Sequence, residues 1–165
     1  MQIFKNRYAY PFNFAAYYPW VIIMKDSKDI LTSLLKTTQM GQVGIKSVEK
    51  VANGTALKKA LKSQLQEYDQ IEEEAFALAN RRGWELKELN PIARSMADMA
   101  TRSKLMYGKN DSKIAEMMVQ GNTRGVIKSL KNLHRYHQND GSITALAQKL
   151  LECENRNIQQ MEGFL

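Results

Sequence analysis

Cysteine, histidine and proline are scarce in this sequence, with one, two and three copies respectively in 165 residues. A single cysteine, Cys153, excludes an internal disulfide and a cysteine-based zinc site, and it favours a reducing, cytoplasmic location. The few prolines favour helical structure, because proline interrupts helices. No apolar run approaches the roughly 20 residues needed to cross a bilayer, so we predict no membrane span.

Positive charge is in excess, with 24 Lys and Arg against 17 Asp and Glu and a net charge of +7. Four cations, spaced by four, three and four residues, form a stripe on one predicted helix: Arg124, Lys128, Lys131 and Arg135. Such a stripe could bind anions along a phosphate chain. Solvated helix faces are commonly charged, however, and this face lacks the aromatic residues that stack on bases. We therefore predict an anion-binding stripe as one alternative and do not favour nucleic acid as a partner.

Residues 1–23 differ from the rest of the chain, since aromatic residues crowd there, acidic residues are absent and no helical period is present. Pro11 and Pro19 interrupt what would be an apolar signal core, so the segment is a poor export signal. Met24 then begins a typical helical sequence. We interpret 1–23 as an N-terminal extension that is not native or is weakly ordered, and 24–165 as the folded domain. The alternative is that its aromatic residues pack on that domain.

Apolar residues recur three and four apart through most of the remaining chain, which predicts helices and no strand. The predicted helices run from Ser27 to Ala52, from Thr55 to Gly83, from Pro91 to Gly108, from Ser112 to His137, and from Ser142 to the end. We expect the third, short helix to bury Ile92, Met96, Met99, Ser103 and Met106. We expect the fourth to bend or cross another helix closely at Gly121 and Gly125, and to bury Val126, Leu130, Leu133 and His137 beyond them.

Four long helices with a short one in third place predict two antiparallel pairs joined by a crossover, the ferritin-like arrangement. From Met24 onward the chain resembles small bacterial ferritin-like proteins of unknown function. The stretch FALANRRGWELKELNP resembles the corresponding turn of the spore coat protein F family, over about residues 30–107. The resemblance implies an all-α, antiparallel four-helix bundle with a crossover helix, and it makes a spore-coat-like role conceivable.

Ferritin-like di-iron sites use a Glu from each of two helices and a Glu-x-x-His from each of the other two. Here Glu154 is followed three residues later by Asn157, and no Glu-x-x-His occurs. Two carboxylates, Glu72 and Glu154, can face inward, so we predict an incomplete site and no cofactor. A residual metal site at these two residues is the alternative. His134 and His137 could also hold one ion, but structural positions are favoured for both.

Glu154 lies on the apolar side of its predicted helix, where an unpaired carboxylate would be costly. We predict a buried polar layer of Gln64, Tyr68, Glu154 and Asn157 that fixes the register of the helices. The alternative is that Glu154 lies at the rim and reaches water.

Motifs of nucleophilic catalysis, phosphate binding and metalloproteolysis are all absent from the sequence. We therefore predict a non-catalytic helical protein with a structural or interaction role. We expect its nine methionines to fill the core, with the alternative that an exposed patch of them marks a self-association surface. A metal-binding protein with an incomplete carboxylate site is the alternative function.

Overall fold

The computed structural model of the protein describes residues 25–105, 110–136, 138 and 140–165. Expectations about residues 1–23, Met106, His137 and the side chain of Ser103 lie outside this part of the chain.

Most of the described residues lie in five helices: α1 (Ser27–Glu49), α2 (Thr55–Arg81), α3 (Pro91–Leu105), α4 (Asp111–Arg135) and α5 (Gly141–Glu162). Within the same ranges no strand forms, and Lys25 and Tyr136 make a single isolated backbone bridge. The prediction of an all-helical chain with a short third helix is confirmed. None of the helices in the described ranges is long and apolar enough to cross a membrane.

The helix ends follow local rules of hydrogen bonding. Asp140 caps α5, because its carboxylate accepts from the backbone N–H groups of Ser142 at 3.1 Å and Ile143 at 3.3 Å. Helix α5 therefore begins at Gly141, one residue before the predicted start at Ser142. At the end of α2, Gly83 has a φ of 65°, and the Trp84 N–H donates back to the Ala79 carbonyl at 2.9 Å.

Hydrogen bonds between helix ends establish the direction of each helix. At one end of the molecule, Asp111 at the start of α4 accepts from the N–H groups of Asn53 and Gly54, between α1 and α2, at 2.9 and 2.8 Å. Ser112 donates to the carbonyl of Leu165, beyond α5, at 3.0 Å. The starts of α2 and α4 and the ends of α1 and α5 therefore lie together.

The opposite end joins the remaining four helix termini. Lys25, before α1, donates its N–H to the carbonyl of Arg135 at the end of α4 at 2.8 Å. Arg82, after α2, forms a 2.6 Å ion pair with Asp140, before α5. Helices α1 and α5 thus run one way and α2 and α4 the other, so the connection that carries α3 must return along the length of the molecule.

The core lies between the four long helices, with the pairs α1–α2 and α4–α5 packed most extensively. Its fully buried large side chains come from each of these helices. They include Ile30, Leu31, Ile45, Leu57, Leu61, Tyr68, Ile71, Ile114, Ile143, Leu150 and Met161.

The predicted buried face of α3 is wrong. Ile92, Met96 and Met99 are exposed to 69%, 64% and 61%. Helix α3 packs mainly on α1, where Ser47 donates to the Asp98 carboxylate at 2.6 Å. Because α3 lies outside the four long helices, its small and polar side provides the contact and its apolar side faces outward.

The predicted apolar face in the second half of α4 is wrong at Leu130, which is exposed to 51%, while Val126 and Leu133 are partly buried. The fully buried residues of this half are Asn122, Gly125, Ser129 and Asn132. The buried side chains of this half are polar or absent because they meet polar partners: Asn132, for example, donates to Ser33 at 2.9 Å. Beyond Met118, the face of α4 that the apolar spacing indicates is therefore not the most buried face of the helix.

Candidate binding cavity

A buried polar cluster connects α2, α4 and α5. The Tyr68 hydroxyl of α2 donates to the Asn122 side-chain carbonyl of α4 at 2.9 Å. Ser129, two turns further along α4, donates to the Glu154 carboxyl of α5 at 3.3 Å. These bonds join three helices through side chains that the solvent does not reach.

All four residues of the predicted polar layer are buried, with exposures of 1% for Gln64 and Tyr68 and 2% for Glu154 and Asn157. Glu154 therefore lies in the interior and not at a rim that reaches water. However, these four residues have hydrogen-bond partners that the predicted layer does not include. Gln64 donates to Gln160 at 2.7 Å, and Asn157 donates to the thiol of Cys153 at 3.6 Å.

Asn122 and Ser129, the two α4 residues that bond to Tyr68 and Glu154, were not among the predicted site residues. A signal was available. Asn122, Ser129 and Asn132 are seven and three residues apart, so these polar residues share the face that Ile114 and Met118 begin.

Burial is the main influence on the Glu154 carboxyl and raises its pKa to about 8, while the Ser129 hydrogen bond and the Lys128 charge act in the opposite direction. The carboxyl is therefore largely protonated at neutral pH and can donate a hydrogen bond as well as accept one. Burial, followed by the charge of Glu154, also raises the pKa of the Tyr68 hydroxyl, which stays a neutral donor.

Two glycines make room for these polar side chains. A Cβ atom at Gly41 of α1 would lie 2.6 Å from the Tyr68 ring, and one at Gly125 would overlap the Glu154 carboxyl. Gly125 thus meets the expectation of a close approach, whereas a Cβ at Gly121 would meet nothing within 4 Å. The absence of side chains at 41 and 125 is a requirement of the cluster.

A partly open cavity of about 400 Å³ lies above this cluster. Helices α1, α3 and α4 form its walls, and Tyr68 and Glu154 contribute from α2 and α5. Its walls are mostly apolar or glycine: Met40, Gly41, Gly44, Val48, Leu89, Ala97, Ala100, Met117, Met118, Gly121 and Gly125. Gly44 and Gly121 keep it open, since an added Cβ at either would meet no atom within 4 Å.

Three cations belong to the lining: Lys36 of α1 and Arg124 and Lys128 of α4. Within the described part of the chain, no carboxylate forms an ion pair with any of them. Although Lys128 is largely exposed, its pKa is lowered, first by partial removal of its ammonium from water and then by the charges of Lys25 and Lys36.

The Asn122 side chain is 3% exposed and lines the cavity. Its carbonyl oxygen accepts from Tyr68, but its amide nitrogen has no hydrogen-bond partner among the described residues. Buried polar groups are paired in the great majority of cases, so this donor is an exception that requires a reason.

The cavity lining includes two of the four cations of the predicted anion-binding stripe. Arg124 and Lys128 line the cavity, whereas Lys131 and Arg135 do not, and both are exposed. All four cations are exposed, and the first two can also act on the interior of the cavity that they line.

The two carboxylates considered for metal binding have separate surroundings. Glu72 accepts from the amides of Gln39 and Gln42 at 2.7 Å each, and it is not part of the cavity lining that contains Glu154. Among the residues that the structure describes, no group of three or more His, Cys, Asp and Glu could hold a metal ion. His134 is exposed, and its expected partner His137 lies outside the described residues.

Cys153 is fully buried, and burial is the main cause that raises the pKa of its thiol to about 12. A thiol in this state is not a nucleophile at neutral pH.

Comparisons of the chain with protein-family models, with curated proteins and with solved structures find no match in any of the three. The resemblances to ferritin-like proteins and to the spore coat protein F family therefore stay predictions.

Proposed function

We propose that the protein is a non-catalytic binding protein that holds a small, largely apolar organic molecule between α1, α3 and α4. The cavity is the observation that carries this proposal. Its volume of about 400 Å³ falls within the range of roughly 300–1,000 Å³ that is typical of ligand pockets, and its mixture of apolar walls and a few polar groups is typical as well.

Closure of the cavity by a side chain tests this function. Leucine at Gly44 would occupy the cavity without a clash at Cβ, and it has a better helix propensity than glycine. We expect Gly44→Leu to keep its unfolding temperature and to lose binding of 1-decanol, measured by isothermal titration calorimetry. Ser63→Leu adds a leucine to an exposed position of α2 and is the matched control.

Binding of 1-decanol that is equal in Gly44→Leu and the unchanged protein would place the ligand elsewhere and contradict the proposal. Absence of binding to the unchanged protein, by 1-decanol and by decanoic acid alike, would also contradict it.

We further propose that the helices have the ferritin-like arrangement. Two hairpins, α1–α2 and α4–α5, with a long connection through α3 between them, support this assignment. In such an arrangement the usual place for a ligand or metal is the interior between facing helices, whereas this cavity lies between α1, α4 and the outer helix α3 and reaches the interior at Tyr68 and Glu154. The assignment is one of fold, and it carries no iron chemistry to this chain.

Self-association is a second candidate function, favoured by the exposed apolar side of α3. Ile92, Met96 and Met99 lie four and three residues apart, so they form one outward row that can pack against the same row of a second copy about a two-fold axis. This would give the structural, spore-coat-like role that the Arg-Gly-Trp stretch implies.

Light scattering coupled to size-exclusion chromatography tests this second function. We expect a dimer that Met96→Lys converts to a monomer. Ile127→Lys, which changes an exposed apolar residue of α4, is the control and should leave the dimer intact. A monomer at all concentrations in the unchanged protein would exclude self-association.

A further inference from the structure

We propose that the ligand of the cavity is an amphipathic organic acid, whose carboxylate binds the Asn122 amide and the cations Arg124 and Lys128 while its apolar chain occupies the cavity. This inference rests on the proposed function and names the chemical class of its ligand.

The charge of the lining supports an anion. Lys36, Arg124 and Lys128 contribute three positive charges and have no carboxylate partner in the described residues, and Glu154 is the one acidic residue of the lining. Because burial keeps Glu154 largely protonated at neutral pH, its charge does not balance the three cations. A ligand carboxylate would supply the missing negative charge.

Hydrogen bonding supports the same conclusion independently. Among the described residues the Asn122 amide nitrogen is a buried donor without an acceptor, and the side chain is held in place because its carbonyl accepts from Tyr68 at 2.9 Å. A carboxylate is an acceptor only, so it satisfies this donor, whereas a ligand ammonium group, which only donates, would not. A protonated Glu154 can donate to the same anion.

The walls of the cavity indicate the chemistry of the part of the ligand beyond its carboxylate. Apolar side chains and glycines form most of the lining, so a small inorganic anion would leave this surface without a partner. A nucleic-acid backbone would be expected to follow all four cations of the α4 stripe, yet Lys131 and Arg135 do not line the cavity. An apolar chain with a single acidic end satisfies both the walls and the cations.

Calorimetric titration with decanoic acid and with 1-decanol tests the proposal, because the two molecules share the chain and differ in the charge of the head group. At pH 7 and low salt, we expect the acid to bind the unchanged protein at least about tenfold more tightly than the alcohol. Lys128→Met should remove most of this preference by weakening the binding of decanoic acid. Lys131→Met changes a cation of the same stripe outside the cavity and should alter neither affinity.

The outcomes separate the two proposals. Equal affinities for the acid and the alcohol, both abolished by Gly44→Leu, would overturn the acidic ligand and leave the binding function in place. If neither decanoic acid nor 1-decanol binds the unchanged protein, both the acidic ligand and the binding function are overturned. An equal loss of acid binding in Lys128→Met and Lys131→Met would also overturn the inference, since it would show general attraction to a basic surface. Inorganic phosphate that competes with decanoic acid only in the unchanged protein would support the anion site.

Discussion

At the scale of single residues, the Glu154 carboxyl has an environment very different from the one it has in the unfolded chain. It is 2% exposed, its only direct hydrogen bond among the described residues comes from Ser129 at 3.3 Å, and its pKa is about 8. The folded protein therefore retains a proton that the unfolded chain releases near its ordinary pKa of 4.5. This difference connects one carboxyl to the stability of the whole fold.

We predict that the free energy of unfolding falls as pH rises from about 4.5 to about 8, because the folded state binds more protons than the unfolded state across this window. The loss at Glu154 is on the order of a few kcal/mol. Urea unfolding at pH 5 and at pH 9 measures it. Glu154→Gln, which keeps the shape and cannot ionise, should flatten the profile. If the free energy of unfolding of Glu154→Gln depends on pH in the same way, groups other than Glu154 cause the dependence.

The two glycines of α4 provide a second prediction at this scale. Gly125→Ala should lower the free energy of unfolding by about 1–3 kcal/mol, because the new methyl group overlaps the Glu154 carboxyl. Gly121→Ala is its matched control. It meets open space and should be neutral or stabilising by up to about 1 kcal/mol. Equal effects of the two substitutions on urea unfolding would contradict the close contact.

At the scale of helices, the apolar period was a reliable guide to α2 and misleading for α3 and the second half of α4. The residues of α2 that recur four and three apart are all buried: Leu57, Leu61, Gln64, Tyr68, Ile71, Ala75 and Leu78. Helix α3 lies outside the four long helices, and α4 buries Asn122 and Ser129 against polar partners on other helices. The spacing of apolar residues identifies an apolar face of a helix. It gives no information on whether the surface against which the helix packs is polar.

This difference within α4 can be measured by substitution. We predict that Leu130→Lys changes the free energy of unfolding by no more than about 0.5 kcal/mol, because Leu130 is 51% exposed. Ile114→Ala, in the first half of the same helix, should cost about 2–5 kcal/mol, because Ile114 is fully buried. A large loss in Leu130→Lys would support the face that the sequence indicated. Both values come from urea unfolding monitored by circular dichroism.

At the scale of the whole molecule, the helical class and the order of long and short helices were predictable, and the cavity was not. Its lining draws on five helices at positions without a common spacing, and Gly44 and Gly121 contribute only by lacking a side chain. The pairing of Tyr68 with Asn122 likewise joins residues 54 positions apart. Such contacts depend on how the helices pack, which no local pattern encodes.

Metal content is a further prediction about the whole molecule. Because Glu72 and Glu154 have separate partners, we expect elemental analysis of the natively purified protein to find iron, manganese and zinc well below one ion per chain. The same result is expected after incubation with ferrous iron. A stoichiometric metal that disappears in Glu154→Ala would establish instead the incomplete carboxylate site as the function.

Helix α3 packs mainly on α1, and its residues Ala97, Ala100 and Thr101 form one wall of the cavity. Separation of α3 would leave the α1–α2 and α4–α5 contacts intact, so its amide hydrogens should exchange with solvent faster than those of the four long helices. The residence time of a bound molecule would then depend on how often this wall opens. Contacts such as Ser47–Asp98, which lie outside the cavity lining, would control how long the ligand stays.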